Sequence, residues 1–179
     1  MNDRDLAVVG VDPGSRWTAG VLRVGDAAVW GWTLGPLDIT GTPVPIANAD
    51  DMEALSRYAD RITDMIDRTI EYATAAGHQR VRVAIEAARV PIGYASGRRT
   101  RIALVDWLTP RCIGLAVRGA YPDARWVLPD AHGRRPRESY PVELRGARPP
   151  HWAPNEARKG ERDHERAAYD IAGVGAGLP

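Results

Sequence analysis

The chain has 179 residues, 44% of them hydrophobic and 26% charged, with a formal net charge of +1. That length and balance suit one globular domain with a real core. They exclude a membrane-spanning class, since no apolar run approaches the ~20 residues a span needs, and the lone Cys112 excludes an internal disulfide.

A reducing cytoplasm is the matching expectation, and the N-terminus has no basic-then-apolar signal pattern. Phe is absent and Lys159 is the only lysine. That bias reads as base composition and carries no function. The small net charge hides an asymmetry. Residues 1–86 hold 8 arginines against 13 acids, residues 87–162 hold 15 basic side chains against 7 acids, and residues 163–179 hold 1 against 3. A positive middle between acidic flanks suits a polyanion groove beside a carboxylate cluster, or a solvated basic loop.

Leu6 to Val11 has no polar member and predicts a strand buried on both faces. Pro13 and Gly14 stop it, so Asp12 stands at its tip. A carboxylate there is costly unless it is paired or holds a metal. The plainer role is an Asx-type turn cap. Trp17–Val24 and Ala27–Leu34 predict two strands around a Gly25-Asp26 hairpin turn, forming a meander with the first. Residues 35–49 predict a loop.

Asp50 with Glu53 resembles a capping box. Behind it Leu55, Ala59, Ile62, Ile66, Ile70 and Ala73 predict a long amphipathic helix ended by Gly77. Arg80–Glu86 predicts another strand that ends in an acid. Adjacent parallel strands would bring the Asp12 and Glu86 tips about 5 Å apart. Residues 87–99 predict a loop that supplies Arg98 and Arg99, with Arg101 just beyond. Thr100–Val117 has helical spacing, which Pro110 must kink or divide. Ala124–Leu128 predicts a short strand. Residues 129–161, with six prolines and seven basic side chains, predict an irregular loop that is functional or disordered. Arg162–Ala172 predicts a helix ended by Gly173, Gly175 and Gly177, with Asp163 and Asp170 seven apart on one face.

The order VVGVDPGSRWTAG, hairpin, long helix, VRVAIEAARVP, helix, short strand and DHERAAYDIA resembles the RuvC-type Holliday-junction resolvases of the RNase H-like nucleases. The resemblance covers most of the chain, least over 129–161. It implies an α/β fold, a mixed five-stranded sheet with helices on both faces and two or three antiparallel strands. It also implies a homodimer, two Mg²⁺ or Mn²⁺ held by carboxylates, and cleavage of branched DNA. Carried over, Asp12 matches the acid of the first strand and Glu86 that of the fourth.

The last helix departs from the pattern. The family usually places two acids, or a His and an Asp, three residues apart, and the residue three before Asp170 is Ala167. Aligning Ala168-Tyr169 puts His164 at the first position and leaves Asp170 one turn late. His164 and Asp170 are the expected pair, with Asp163 the alternative.

In that reading Asp12, Glu86 and Asp170 hold the metals, His164 tunes or protonates at the leaving side, and Arg98, Arg99, Arg101 and Lys159 neutralise phosphates. Three other functions fit parts of the sequence. They are an actin-like ATPase lobe, for which the chain is short, a ribonuclease on RNA–DNA hybrids, and a DNA-binding module with a defective metal site, as Ala167 suggests.

Overall fold

The computed structural model describes residues 6–48, 50–88, 103–130, 132–157 and 162–177. Five strands form one mixed sheet: β1 (Leu6–Asp12), β2 (Thr18–Val24), β3 (Ala27–Leu34), β4 (Arg80–Glu86) and β5 (Arg125–Val127), in the order β3-β2-β1-β4-β5. β1 is central and all seven of its residues are buried. It pairs antiparallel with β2 and parallel with β4. β2–β3 is antiparallel and β4–β5 parallel. The β1–β2–β3 meander supplies the antiparallel part of the sheet.

Helices cover both faces. α1 (Met52–Ala75) and α2 (Leu104–Ala120) pack on each other. Successive strand side chains point to opposite faces, which settles what each layer of helices buries. Ala7, Val9 and Val11 of β1 and Val83 and Ile85 of β4 join Ile62, Ile66, Ile113 and Val117 in the larger core. On the opposite face Leu6, Val8 and Ala84 meet Ile171 and Ala172 of α4 (Asp163–Ala176). A short helix, α3 (Val142–Arg145), lies between β5 and α4 in the chain.

α4 sits unusually close to the sheet because small residues meet there. A Cβ on Gly10 would fall 2.0 Å from the Ala168 carbonyl oxygen and 2.6 Å from the Ala172 nitrogen. Gly173 and Gly175 do not end this helix as expected. They lie inside it, where a Cβ would strike Arg23 and Ala84. Gly177, with φ +79°, ends it.

Other expectations shift in detail. The N-cap of α1 is Asp51, whose Oδ1 accepts from the Ala54 N–H at 3.0 Å, and not Asp50. Pro110 lies within α2 without dividing it. Residues 129–161 are expected to be structureless, yet the described part is packed. Tyr140, Leu144 and Trp152 are buried. Thr33 N–H donates to the Pro154 carbonyl at 3.0 Å and Glu156 N–H to the Thr33 carbonyl at 3.1 Å. The segment therefore covers the β3 edge, which would otherwise expose unpaired backbone groups. Its pattern escapes periodicity because it packs by scattered large side chains and not by a repeating face. No helix among the described residues is long and apolar enough to cross a membrane.

Candidate functional site

The site is built where β1 and β4 stop. Val11 pairs with Ile85, so Asp12 and Glu86 follow side by side at the tips of adjacent parallel strands. Val11 and Ile85 face the α1–α2 core, and alternation turns Asp12 and Glu86 to the α4 face. Asp12 is 9% exposed. The turn after it is braced from the other side. The Tyr58 hydroxyl lies 2.9 Å from Thr18 Oγ1 and 3.1 Å from the Leu34 carbonyl, and the Gly14 N–H reaches Thr18 Oγ1 at 3.3 Å.

Each carboxylate meets an imidazole. His164, in the first turn of α4, places Nδ1 2.8 Å from Asp12 Oδ2. His132 places Nδ1 2.8 Å from Glu86 Oε1. Asp12 is thus bonded across 152 positions of sequence, a contact that a local turn cap does not call for. Burial pushes the Glu86 carboxyl above the ordinary carboxylate range. The charge of Asp12 pushes the same way, while the hydrogen bond from His132 opposes it.

Asp170 stands elsewhere. Its Oδ2 accepts from the Gly133 N–H at 2.9 Å and from the Tyr140 hydroxyl at 2.8 Å, and its Oδ1 pairs with Arg135. The expected gathering of Asp12, Glu86 and Asp170 is not what the geometry gives. The reason is helical phase. Ala168 faces the sheet at Gly10, and two residues further along an α-helix is about 200° around it. The alternative, Asp163, is exposed and turned to Arg166 Nη1 at 2.7 Å. Among the described residues no three His, Cys, Asp or Glu side chains gather as a metal cluster. Arg98, Arg99, Arg101 and Lys159 lie outside the described residues.

Sequence reading missed His132. It sits in a stretch without periodicity, and no spacing links it to Glu86. Its only local signal is the Gly that follows, Gly133, with φ +76°. A cleft of about 600 Å³ opens beside it, lined by Arg23, Asp26, Arg135, Tyr140 and Asp170 among others.

The arrangement offers two carboxylate–imidazole pairs, one at the tip of β1 and one at the tip of β4. Oxygen donors of this kind suit a hard divalent cation, and imidazoles beside carboxylates can fix their orientation or exchange protons with them.

No family model matches the chain, and no curated protein matches it in sequence. Among solved structures, it is similar to Thermus thermophilus RuvC in complex with a Holliday junction substrate, and to a second Thermus thermophilus RuvC structure. In both cases the identity is 18%, the TM-score 0.44, and the match covers 93% of this chain and 90% of the other.

Proposed function

We propose that this chain is a metal-dependent endonuclease that hydrolyses phosphodiester bonds in branched DNA, with a four-way junction as substrate and a homodimer as the acting form. One observation carries the reading. Two carboxylates, Asp12 and Glu86, end adjacent buried strands on one face, and each is held by an imidazole. Two acids side by side are mutually repulsive, and the Glu86 carboxyl is raised first by its burial and then by the charge of Asp12. A bound divalent cation would relieve that charge.

The donor set fits Mg²⁺ or Mn²⁺, with Asp12 and Glu86 as the residues that would hold it. Such a cation supplies charge neutralisation at the phosphate and an activated water. The chain's own part is to keep the donors fixed. β1 and β4 set the carboxylate positions through the paired register. His164 holds the Asp12 carboxylate from α4 and is placed to share a proton at Nδ1. His132 does the same for Glu86. Arg98, Arg99, Arg101 and Lys159 are the proposed phosphate contacts, which position DNA without reading its sequence.

A specific observation favours a second reading, a module that binds junctions without cutting them. The carboxylate of Asp170 is committed to Arg135, Tyr140 and Gly133, which leaves two acids where the resemblance implies more.

The test is junction cleavage by wild type and by Asp12→Asn, with binding and Tm measured alongside. Asn keeps the side-chain shape and removes one charge. The nuclease reading expects wild type to cut in Mg²⁺ or Mn²⁺, and the variant to lose at least about 100-fold in rate while it still binds DNA and folds. A variant that cuts at the wild-type rate removes Asp12 from the chemistry. A wild type that binds but never cuts establishes the module, and one that cuts only RNA–DNA hybrid moves the substrate class.

A further inference from the structure

Asp170 is a part-buried carboxylate that the proposed chemistry does not use. Its side chain is only 10% exposed, although the helix turns it off the sheet. The cover comes from residues 132–140. Three donors of that segment converge on the carboxylate: the Gly133 N–H, the Tyr140 hydroxyl and the Arg135 guanidinium. Arg135 also lies over the Tyr140 ring, 4.5 Å from its centroid.

The backbone fits as closely as the side chains do. A Cβ on Gly133 would sit 2.8 Å from the Asp163 carbonyl oxygen and 3.1 Å from the Ala167 nitrogen. The same Cβ would be 3.2 Å from that of Ala167. The segment is therefore flush with α4, and only small residues at 133 and 167 permit it. One residue earlier, His132 reaches Glu86 at 2.8 Å. Gly133 is thus a pivot. On one side of it the chain is pinned to α4, and on the other an imidazole is delivered to the end of β4.

We propose that Asp170 is a positioning residue: it clamps residues 133–140 onto α4 so that His132 is held on Glu86. The proposal rests on the nuclease reading for its catalytic consequence and adds to it an assignment for His132, Asp170 and Ala167. Ala167 is small because the clamped segment fills the space beside it. The rest of the segment has anchors of its own in buried Tyr140, Leu144 and Trp152. Loss of the clamp therefore frees residues 132–135 without unfolding the chain.

The experiment uses the full chain with Asp170→Asn, His132→Ala, the double variant and Tyr140→Phe. Amide exchange is followed without metal or DNA, and junction cleavage and Mn²⁺ affinity are measured separately. Loss of an acceptor for charged and neutral donors should speed Gly133 exchange in Asp170→Asn by at least about tenfold, with the β1 and β4 amides unchanged. Tyr140→Phe, which removes one donor of three, should give a smaller increase.

Asp170→Asn and His132→Ala should each lower kcat by about 10–100-fold, and the double variant should fall no further, because both remove one interaction. Mn²⁺ affinity should fall no more in Asp170→Asn than in His132→Ala. Unchanged Gly133 exchange in Asp170→Asn overturns the clamp. Additive losses of kcat, or a larger loss of Mn²⁺ affinity in Asp170→Asn, overturn it in favour of a metal ligand. If the wild type cuts no junction, the nuclease reading fails, and the exchange measurements still decide the clamp by themselves.

Discussion

A carboxylate at a strand tip is a cost to the fold that a site can exploit. Glu86 shows the cost directly, because burial and the neighbouring Asp12 both hold its carboxyl above the ordinary range. The linkage sign follows. The folded state prefers the protonated acid more than the unfolded chain does, so stability falls as pH rises from the unfolded value towards the raised folded one, and the penalty is complete above it. Glu86→Gln keeps an oxygen for His132 and removes the charge. In metal-free buffer the variant should melt higher than wild type at about pH 7.5, and the gain should vanish near pH 4. One kcal/mol of relief corresponds to a Tm rise of about 2–4 °C in a chain of this size. Equal melting at both pH values would show that the carboxylate is already compensated. With Mn²⁺ added, the order should reverse, since only wild type offers both acids to the cation.

α4 shows at the scale of one element what a sequence does and does not disclose. Its existence was legible from the Ala168, Ile171 and Ala172 spacing, and so was His164 as a residue of its first turn. The strand tips Asp12 and Glu86 were legible too, because apolar runs that stop at an acid leave little choice of place. The face of Asp170 was not. A spacing of seven says that Asp163 and Asp170 share a side of the helix, and both do lie away from the sheet, but it does not say which side is buried.

Glu165 escaped for a related reason. It is 1% exposed inside the core side of α4, paired with Arg148 Nε at 2.7 Å and with Arg162. Those two arginines reach the carbonyls of Gly31, Glu143, Gly146 and Pro154. One buried acid therefore ties α4 to β3 and to the 143–154 stretch. Burial lowers the affinity of Arg148 for its proton, and Glu165 counteracts this. Glu165→Ala would leave two guanidinium groups uncompensated and should cost about 3–5 kcal/mol in denaturant unfolding. A loss below about 1 kcal/mol would mean that water reaches both arginines.

The charge of the whole molecule reads differently once its internal partners are known. Residues 87–162 hold 15 basic side chains, but Arg135, Arg148 and Arg162 face Asp170 or Glu165. Arg148 and Arg162 are buried in these pairs, so charges of this kind are expected to hold the fold together and to add little to the release of counterions from a bound DNA. The basic groups proposed to meet phosphates, Arg98, Arg99, Arg101 and Lys159, have to supply the salt dependence instead. On duplex arms, every phosphate that is no longer neutralised should reduce the slope of log K against log salt by about 0.9. Replacing Arg98, Arg99 and Arg101 by Ala should therefore flatten the slope by about three times that amount and weaken junction binding at low salt more than at high salt. Arg148→Ala serves as the contrast. It should lower Tm through the orphaned Glu165 and leave the salt slope of the remaining folded protein unchanged. A slope that ignores the triple change would remove Arg98, Arg99 and Arg101 from the phosphate contacts, and one that responds to Arg148→Ala would show that the buried pair with Glu165 also bears on DNA.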